Sequence, residues 1–263
     1  MDRHGFLRRL HQVYRPRNYL EIGVNDGRSL ALSRVPSVAI DPAFKVVKSI
    51  SCDVHLVKAT SDSFFARKDP LLHLRTGRNP FRALARRDPL AVLGGDPKLE
   101  LSFIDGMHLF EFALRDFINV ERHSRWSSVI VFDDMLPRNV DEAARDRHTG
   151  AWTGDVFKVA QVLRRLRPDL VVVEVDTSPT GVVVVFGADP DSKVLPERYD
   201  DIEKEYIKPD PQEVPDEVLL RKNAVQPEAL LDAPFWPALI RARNLNRGRS
   251  AFTALRGRIE EVS

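Results

Sequence analysis

Short apolar, β-branched runs recur along this chain, most of them closing on an acidic residue or a Gly-rich turn, and the stretches between them carry helical periodicity. This alternation leaves few folds open, because parallel strands need crossovers and helices supply them. The runs fall at 18–23, 37–41, 55–59, 99–105, 127–133, 170–176 and 181–187. Val129-Ile130-Val131-Phe132 is apolar at successive positions, as expected of a strand covered on both faces. The last two runs are joined only by Thr177-Ser178-Pro179-Thr180-Gly181, too short for a helical crossover, so the seventh is expected to return antiparallel. Helical patterns lie at 28–34, at 109–123, where Phe110, Leu114, Phe117 and Ile118 form a stripe, and at 155–166, with Asp155 as the expected N-cap. The fold class is α/β.

Charge narrows the function classes. Of 263 residues, 40 are Lys or Arg and 38 Asp or Glu, a net charge of +2 with no basic block to neutralise a run of phosphates, which argues against a dedicated nucleic-acid binder. A lone cysteine, Cys52, cannot close an intramolecular disulfide, and residues 1–10 are charged where a secretory leader would be apolar. No run approaches the ~20 apolar residues of a membrane span. The expected location is the cytoplasm.

The chain divides into an N-terminal helix within 1–16, a core at 17–188 and a Pro-rich, partly helical appendage at 189–263. An Arg-, Pro- and Gly-rich insertion at 64–98 exceeds a usual crossover and is expected near the site. Its Arg82, Arg86 and Arg87 read as a solvated helix face, and the basic stretch from Arg241 to Arg249 as a capping helix or dimer contact.

The first strand ends in Glu21-Ile22-Gly23-Val24-Asn25-Asp26-Gly27, followed by Arg28-Ser29. Glycines at a strand-to-helix turn let backbone approach a ligand closely. The third glycine of a dinucleotide fingerprint is missing, and an acid ahead of the first glycine suits a cationic amine better than a diphosphate. Asp41, 20 residues past Glu21 at the end of the second strand, is placed to accept hydrogen bonds from a ribose diol.

These residues resemble class I S-adenosylmethionine-dependent methyltransferases across roughly 19–188. Phe103-Ile104-Asp105-Gly106-Met107-His108, Val131-Phe132-Asp133-Asp134 and Trp152-Thr153-Gly154-Asp155-Val156-Phe157-Lys158 narrow the resemblance to small-molecule O-methyltransferases of the macrocin-type sugar family. The resemblance implies a Rossmann-like seven-stranded sheet of order 3-2-1-4-5-7-6, strand 7 antiparallel, with helices on both faces. It implies S-adenosylmethionine as cofactor: Glu21, Gly23 and Gly27, with Asn25 and Ser29 of the same turn, at the methionine end, Asp41 at the ribose, and Ser61 and Asp62 at the adenine. Ser61 and Asp62 also read as the N-cap of the following helix.

In that sheet order Asp105, Asp133 and Asp134 end neighbouring strands and can converge. Three carboxylates there suit Mg²⁺, which would anchor a hydroxyl and lower its pKa. Alternatively Asp105 binds the cofactor amine or orients substrate, and the other two merely end a strand. Asp105 or His108 would take the proton, His108 if its pKa stays near neutrality. Lys158 is a secondary candidate at the acceptor, and Trp152 reads as a packing residue ahead of a wall of the acceptor pocket.

The expected activity is O-methylation of a small-molecule hydroxyl, with a sugar or glycosylated metabolite as acceptor and a homo-oligomer left open. A metal-independent enzyme with His108 as base, and a non-catalytic S-adenosylmethionine-binding interaction protein, are the alternatives. A nicotinamide-dependent oxidoreductase is disfavoured by the missing glycine and the terminal hairpin.

Overall fold

The computed structural model describes residues 1–75 and 97–262. Arg82, Arg86, Arg87 and most of the expected insertion lie outside the described residues.

Each expected run forms a strand: β1 (Tyr19–Ile22), β2 (Ser37–Ile40), β3 (Val54–Val57), β4 (Leu101–Ile104), β5 (Val129–Phe132), β6 (Val171–Val175) and β7 (Val182–Phe186). They make one sheet of order β3-β2-β1-β4-β5-β7-β6. β1 pairs in parallel with both β2 and β4, and β7 runs antiparallel between β5 and β6. The order reverses at β1–β4, which opens a crevice beyond their C-terminal ends.

One face of the sheet presents Ile22, Ile40, Ile104, Ile130 and Val183 to the first of two large cores. Covering that face are α3 (Phe110–Arg122), α4 (Lys158–Leu166) and α5 (Val194–Tyr206), whose Phe117, Leu163 and Leu195 are fully buried in it. The other face presents Tyr19, Phe103, Val131 and Val184. It packs against α1 (Arg3–Tyr14) through Phe6, Leu7, Leu10 and Tyr14, and against α8 (Trp236–Asn244) and α9 (Ser250–Glu260). Each such buried large side chain contributes roughly 1.5–3 kcal/mol. Among the described residues three short helices complete the set: α2 (Ser61–Phe65), α6 (Asp216–Leu219) and α7 (Pro227–Leu231).

Arg243 shows how the basic tail is used. Its Nη1 lies 3.1 Å from Glu100 and its guanidinium 4.8 Å above the Tyr14 ring, fastening α8 to α1 and the head of β4. Arg249 pairs with Asp169 at 2.9 Å.

Three local expectations are corrected. The helix expected at 28–34 shrinks to a single 3₁₀ turn at Leu30–Leu32. Asp155 does not cap the helix beside it, because α4 begins a turn later. Its Oδ1 accepts the Phe110 N–H at 2.8 Å and so caps α3 instead. The N-cap before α2 is Thr60, whose Oγ1 accepts the Ser63 N–H at 3.2 Å, and not Ser61 or Asp62.

A buried ion cluster joins α3 to the chain beyond α4. Arg167, 1% exposed, holds Glu121 at 2.7 Å and Asp169 at 2.8 Å, and Glu121 also accepts the Asp189 N–H at 3.0 Å. Arg167→Ala leaves Glu121 buried without its cation and is expected to cost about 3 kcal/mol, measured by urea denaturation. The pair Arg167→Met with Glu121→Gln should recover part of that loss, since neither partner is then an unpaired charge.

Candidate functional site

The Gly-rich turn after β1 is built for contact with β4. Gly23 has φ +88°, and a Cβ there would lie 1.8 Å from the Asp105 carbonyl oxygen. Only glycine lets the two strand ends approach this closely. Asn25 also sits in the left-handed region, at φ 48°.

Asp41 braces this turn: its Oδ2 accepts the N–H groups of Val24 (2.9 Å) and Asn25 (2.8 Å), and its Oδ1 that of Ala43 (2.6 Å). The following segment clasps the turn from outside through Lys45 N–H to Asn25 O, 2.9 Å.

Beyond these strand ends opens a cavity of about 840 Å³. Gly23, Asn25, Asp41, Ser61, Asp62, Asp105, His108 and Asp134 line it. The expected site residues Glu21, Gly27, Ser29 and Asp133 are not in its wall.

Glu21 faces the opposite side of the sheet, fully buried, with the Tyr19 hydroxyl donating to its Oε2 at 2.6 Å. Burial pushes its pKa up to about 8, against the hydrogen bond from Tyr19, and the charge of Asp105 adds to the rise. The folded chain therefore keeps this proton where the unfolded chain, ionising near 4.5, has lost it. Stability contributed here is present at acid pH and falls as pH rises from about 4.5 to about 8. Glu21→Gln should flatten that fall, worth on the order of a few kcal/mol across the window, in denaturant melts at pH 5 and pH 8.

At the other end of the cavity the carboxylates of Asp105 and Asp134 converge on an imidazole. His108 lies 3.3 Å from Asp105 Oδ1 through Nε2 and 3.5 Å from Asp134 through Nδ1. Its Nδ1–H donates to the Trp152 carbonyl at 2.8 Å, and its ring stacks on Trp152 at 5.1 Å and 13°. Gly154 makes that approach possible, since a Cβ there would sit 1.6 Å from the His108 carbonyl oxygen.

Burial alone would lower the His108 pKa. The hydrogen bond to Asp105 and the charges of Asp134 and Asp105 outweigh it, and the value rises to about 9. The two carboxylates therefore favour the protonated imidazole at neutral pH.

Asp133 and Asp134 are both pushed upward, first by burial and then by the charge of Asp105. Asp134 holds a left-handed backbone, φ 57°, and accepts a hydrogen bond from the Thr180 hydroxyl at the head of β7. Asp133 turns toward α1 and pairs with Arg3. Among the described residues, Asp105, His108 and Asp134 form the group able to hold a metal, with ligand atoms within 4.8 Å of one another. Their carboxylate oxygens fit a hard cation such as Mg²⁺. Asp133, the third expected ligand, faces the same cluster from behind Arg3.

Among the wall residues that the sequence did not single out are Asp116 and Arg3. Asp116 on α3 is 3% exposed, has no partner for Oδ1, and is pushed up to about 7 by burial. It was legible as an acid on the buried stripe of α3, three residues after Ala113 and four before Val120. Arg3 carried no such signal, since a basic residue opening an amphipathic helix ordinarily faces water. Trp152, read as a packing residue ahead of an acceptor-pocket wall, lines the cavity. Lys158 does not reach the cavity: its Nζ donates to Asp155 (3.0 Å), the Tyr206 carbonyl (2.9 Å) and Gln212 (2.5 Å), tying down the appendage.

No family model and no curated protein matches the chain. Among solved structures it is similar to an O-methyltransferase from Bacillus cereus in complex with SAH, at 14% identity over 70% of this chain and 80% of that one, TM-score 0.40. It is also similar to the O-methyltransferase TomG from Streptomyces achromogenes, involved in tomaymycin synthesis and in complex with SAM, at 15% identity over 71% and 79%, TM-score 0.41. A third likeness is to the MycE methyltransferase of the mycinamycin biosynthetic pathway in complex with Mg and SAH, at 16% identity over 72% of this chain and 50% of that one, TM-score 0.40. Among the described residues no helix is long and apolar enough to cross a membrane.

Proposed function

We propose that this chain is an S-adenosylmethionine-dependent O-methyltransferase, acting in the cytoplasm on a hydroxyl of a small molecule, a sugar or glycosylated metabolite, with Mg²⁺ assistance. One observation carries the reading: a single cavity joins the glycine turn and Asp41 to the Asp105–His108–Asp134 cluster. A nucleoside-bearing donor seated at the first would thus present its reactive end to the second. When bound, S-adenosylmethionine supplies an activated methyl group, and Mg²⁺ polarises the acceptor oxygen.

The chain's own residues divide the remaining work. The backbone at Gly23 and Asn25, braced by Asp41, shapes the donor seat. Asp116, hydrogen-bonded to the Ser61 side chain, keeps a buried Oδ1 with no donor, which suits an adenine amine. Asp105 takes the acceptor proton, because His108 already carries one at neutral pH. Asp105 and Asp134 would hold Mg²⁺ through their carboxylates, and His108, held between them and the Trp152 ring, keeps positive charge beside the oxygen that develops negative charge.

Titration calorimetry with S-adenosylhomocysteine and with NADH tests the donor assignment: heat with the first and none with the second is expected, and the reverse overturns it. Transfer of labelled methyl to a panel of sugars and glycosylated metabolites tests the acceptor class. Binding of the donor with transfer to no member would favour a non-catalytic binding protein.

A further inference from the structure

The first helix does more than cover the sheet. Its opening residues are fastened at the site: the Ser178 N–H donates to the Met1 carbonyl at 2.9 Å, Asp2 forms an isolated bridge with Ser178, and the Asp2 side chain caps the helix by accepting the Gly5 N–H at 2.6 Å. Residue 178 belongs to the same connection as Thr180, which holds Asp134. Arg3 is thereby aimed into the cavity.

Its Nη1 pairs with Asp133 and lies 3.8 Å from Asp105 Oδ2 and 3.9 Å from Asp134 Oδ2. A single guanidinium nitrogen thus stands among three carboxylates, each of which attracts it. With Arg3 in place, a fixed positive charge already faces all three carboxylates, and a divalent cation entering that shell meets like charge. An Arg cannot discharge itself to make room, so the guanidinium must move instead.

We propose that Arg3 is the resident counter-cation of Asp105, Asp133 and Asp134, which a divalent ion must displace before it can bind there. The fastened first helix then sets how tightly that ion is held. This rests on the cation half of the reading above and is independent of the methyl donor.

The test is Mn²⁺ binding to the full chain in the absence of donor and acceptor, followed by loss of the free-ion electron paramagnetic resonance signal. Arg3→Gln removes the charge but leaves Asp133 an amide donor, and should bind Mn²⁺ at least tenfold more tightly than wild type. Arg3→Lys keeps the charge and should bind within about threefold of wild type. Equal affinities in wild type and Arg3→Gln overturn the proposal while leaving the cation site standing, and binding by neither protein removes both. Should Arg3→Gln melt below the working temperature, Arg3→Lys decides: tenfold tighter binding there overturns it, and wild-type affinity supports it. Calorimetry with S-adenosylhomocysteine reports separately on the donor, so the two readings fail by different measurements.

Discussion

Asp105→Asn is expected to lower kcat on any accepted acceptor by about 10²–10⁴-fold, the range spanned by loss of a positioned base. The change is nearly isosteric, so it leaves the β1–β4 contact at Gly23, which uses the Asp105 carbonyl and not its side chain. Affinity for S-adenosylhomocysteine should therefore stay within a few fold. The side chain loses its ability to accept a proton and its charge beside His108, 3.3 Å away. The His108 pKa should accordingly drop from about 9 toward the ordinary range, visible in the proton resonances of its ring during a pH titration. Undiminished kcat would remove Asp105 from the base role. An unmoved His108 titration would remove the electrostatic coupling.

Gly23→Ala should be among the most damaging single-methyl changes at the site. The new Cβ would lie 1.8 Å from the Asp105 carbonyl oxygen and 2.9 Å from the Gly106 nitrogen, both backbone atoms that no rotamer change can clear. The residue would also have to hold φ +88°, itself worth roughly 1–2 kcal/mol against an L side chain. Relief requires β1 and β4 to part at their C-terminal ends, which breaks the Asp105 N–H bond to Ile22 O at 2.8 Å and opens the cavity floor. A loss above about 4 kcal/mol in urea denaturation, with S-adenosylhomocysteine binding abolished, is expected. Gly27→Ala offers the contrast, since its Cβ would meet only the Val46 side chain at 3.0 Å. Comparable losses at the two positions would show that the close β1–β4 approach is not what Gly23 provides.

The seven strands were legible because their apolar runs are long enough to mark a buried sheet, and because a five-residue link between the last two admits no crossover. The boundaries erred where capping decided them. Asp155 carries the residue type of an N-cap, yet it caps α3, from 45 residues away along the chain, and not α4 beside it. Local preference states that such a side chain will satisfy an orphan N–H group, without saying whose.

The site was legible to a similar depth. Asp105, His108 and Asp134 stand in short motifs at strand ends, and the strand order brings those ends together. Glu21 stands in the same kind of motif but leaves the cavity, because side chains alternate along a strand and Glu21 shares a face with Tyr19, not with Ile22.

By itself the sequence determined the α/β architecture, the antiparallel last strand and the acids at the crevice, all of which follow from periodicity and from connections too short for any other path. Only the tertiary structure decided the state of those acids: Arg3 reaches Asp133 across 130 positions of chain, and His108 becomes a cation because Asp105 and Asp134 close on it. Charge acts through space and through excluded water, and neither distance nor burial is written in the spacing of residues along a chain.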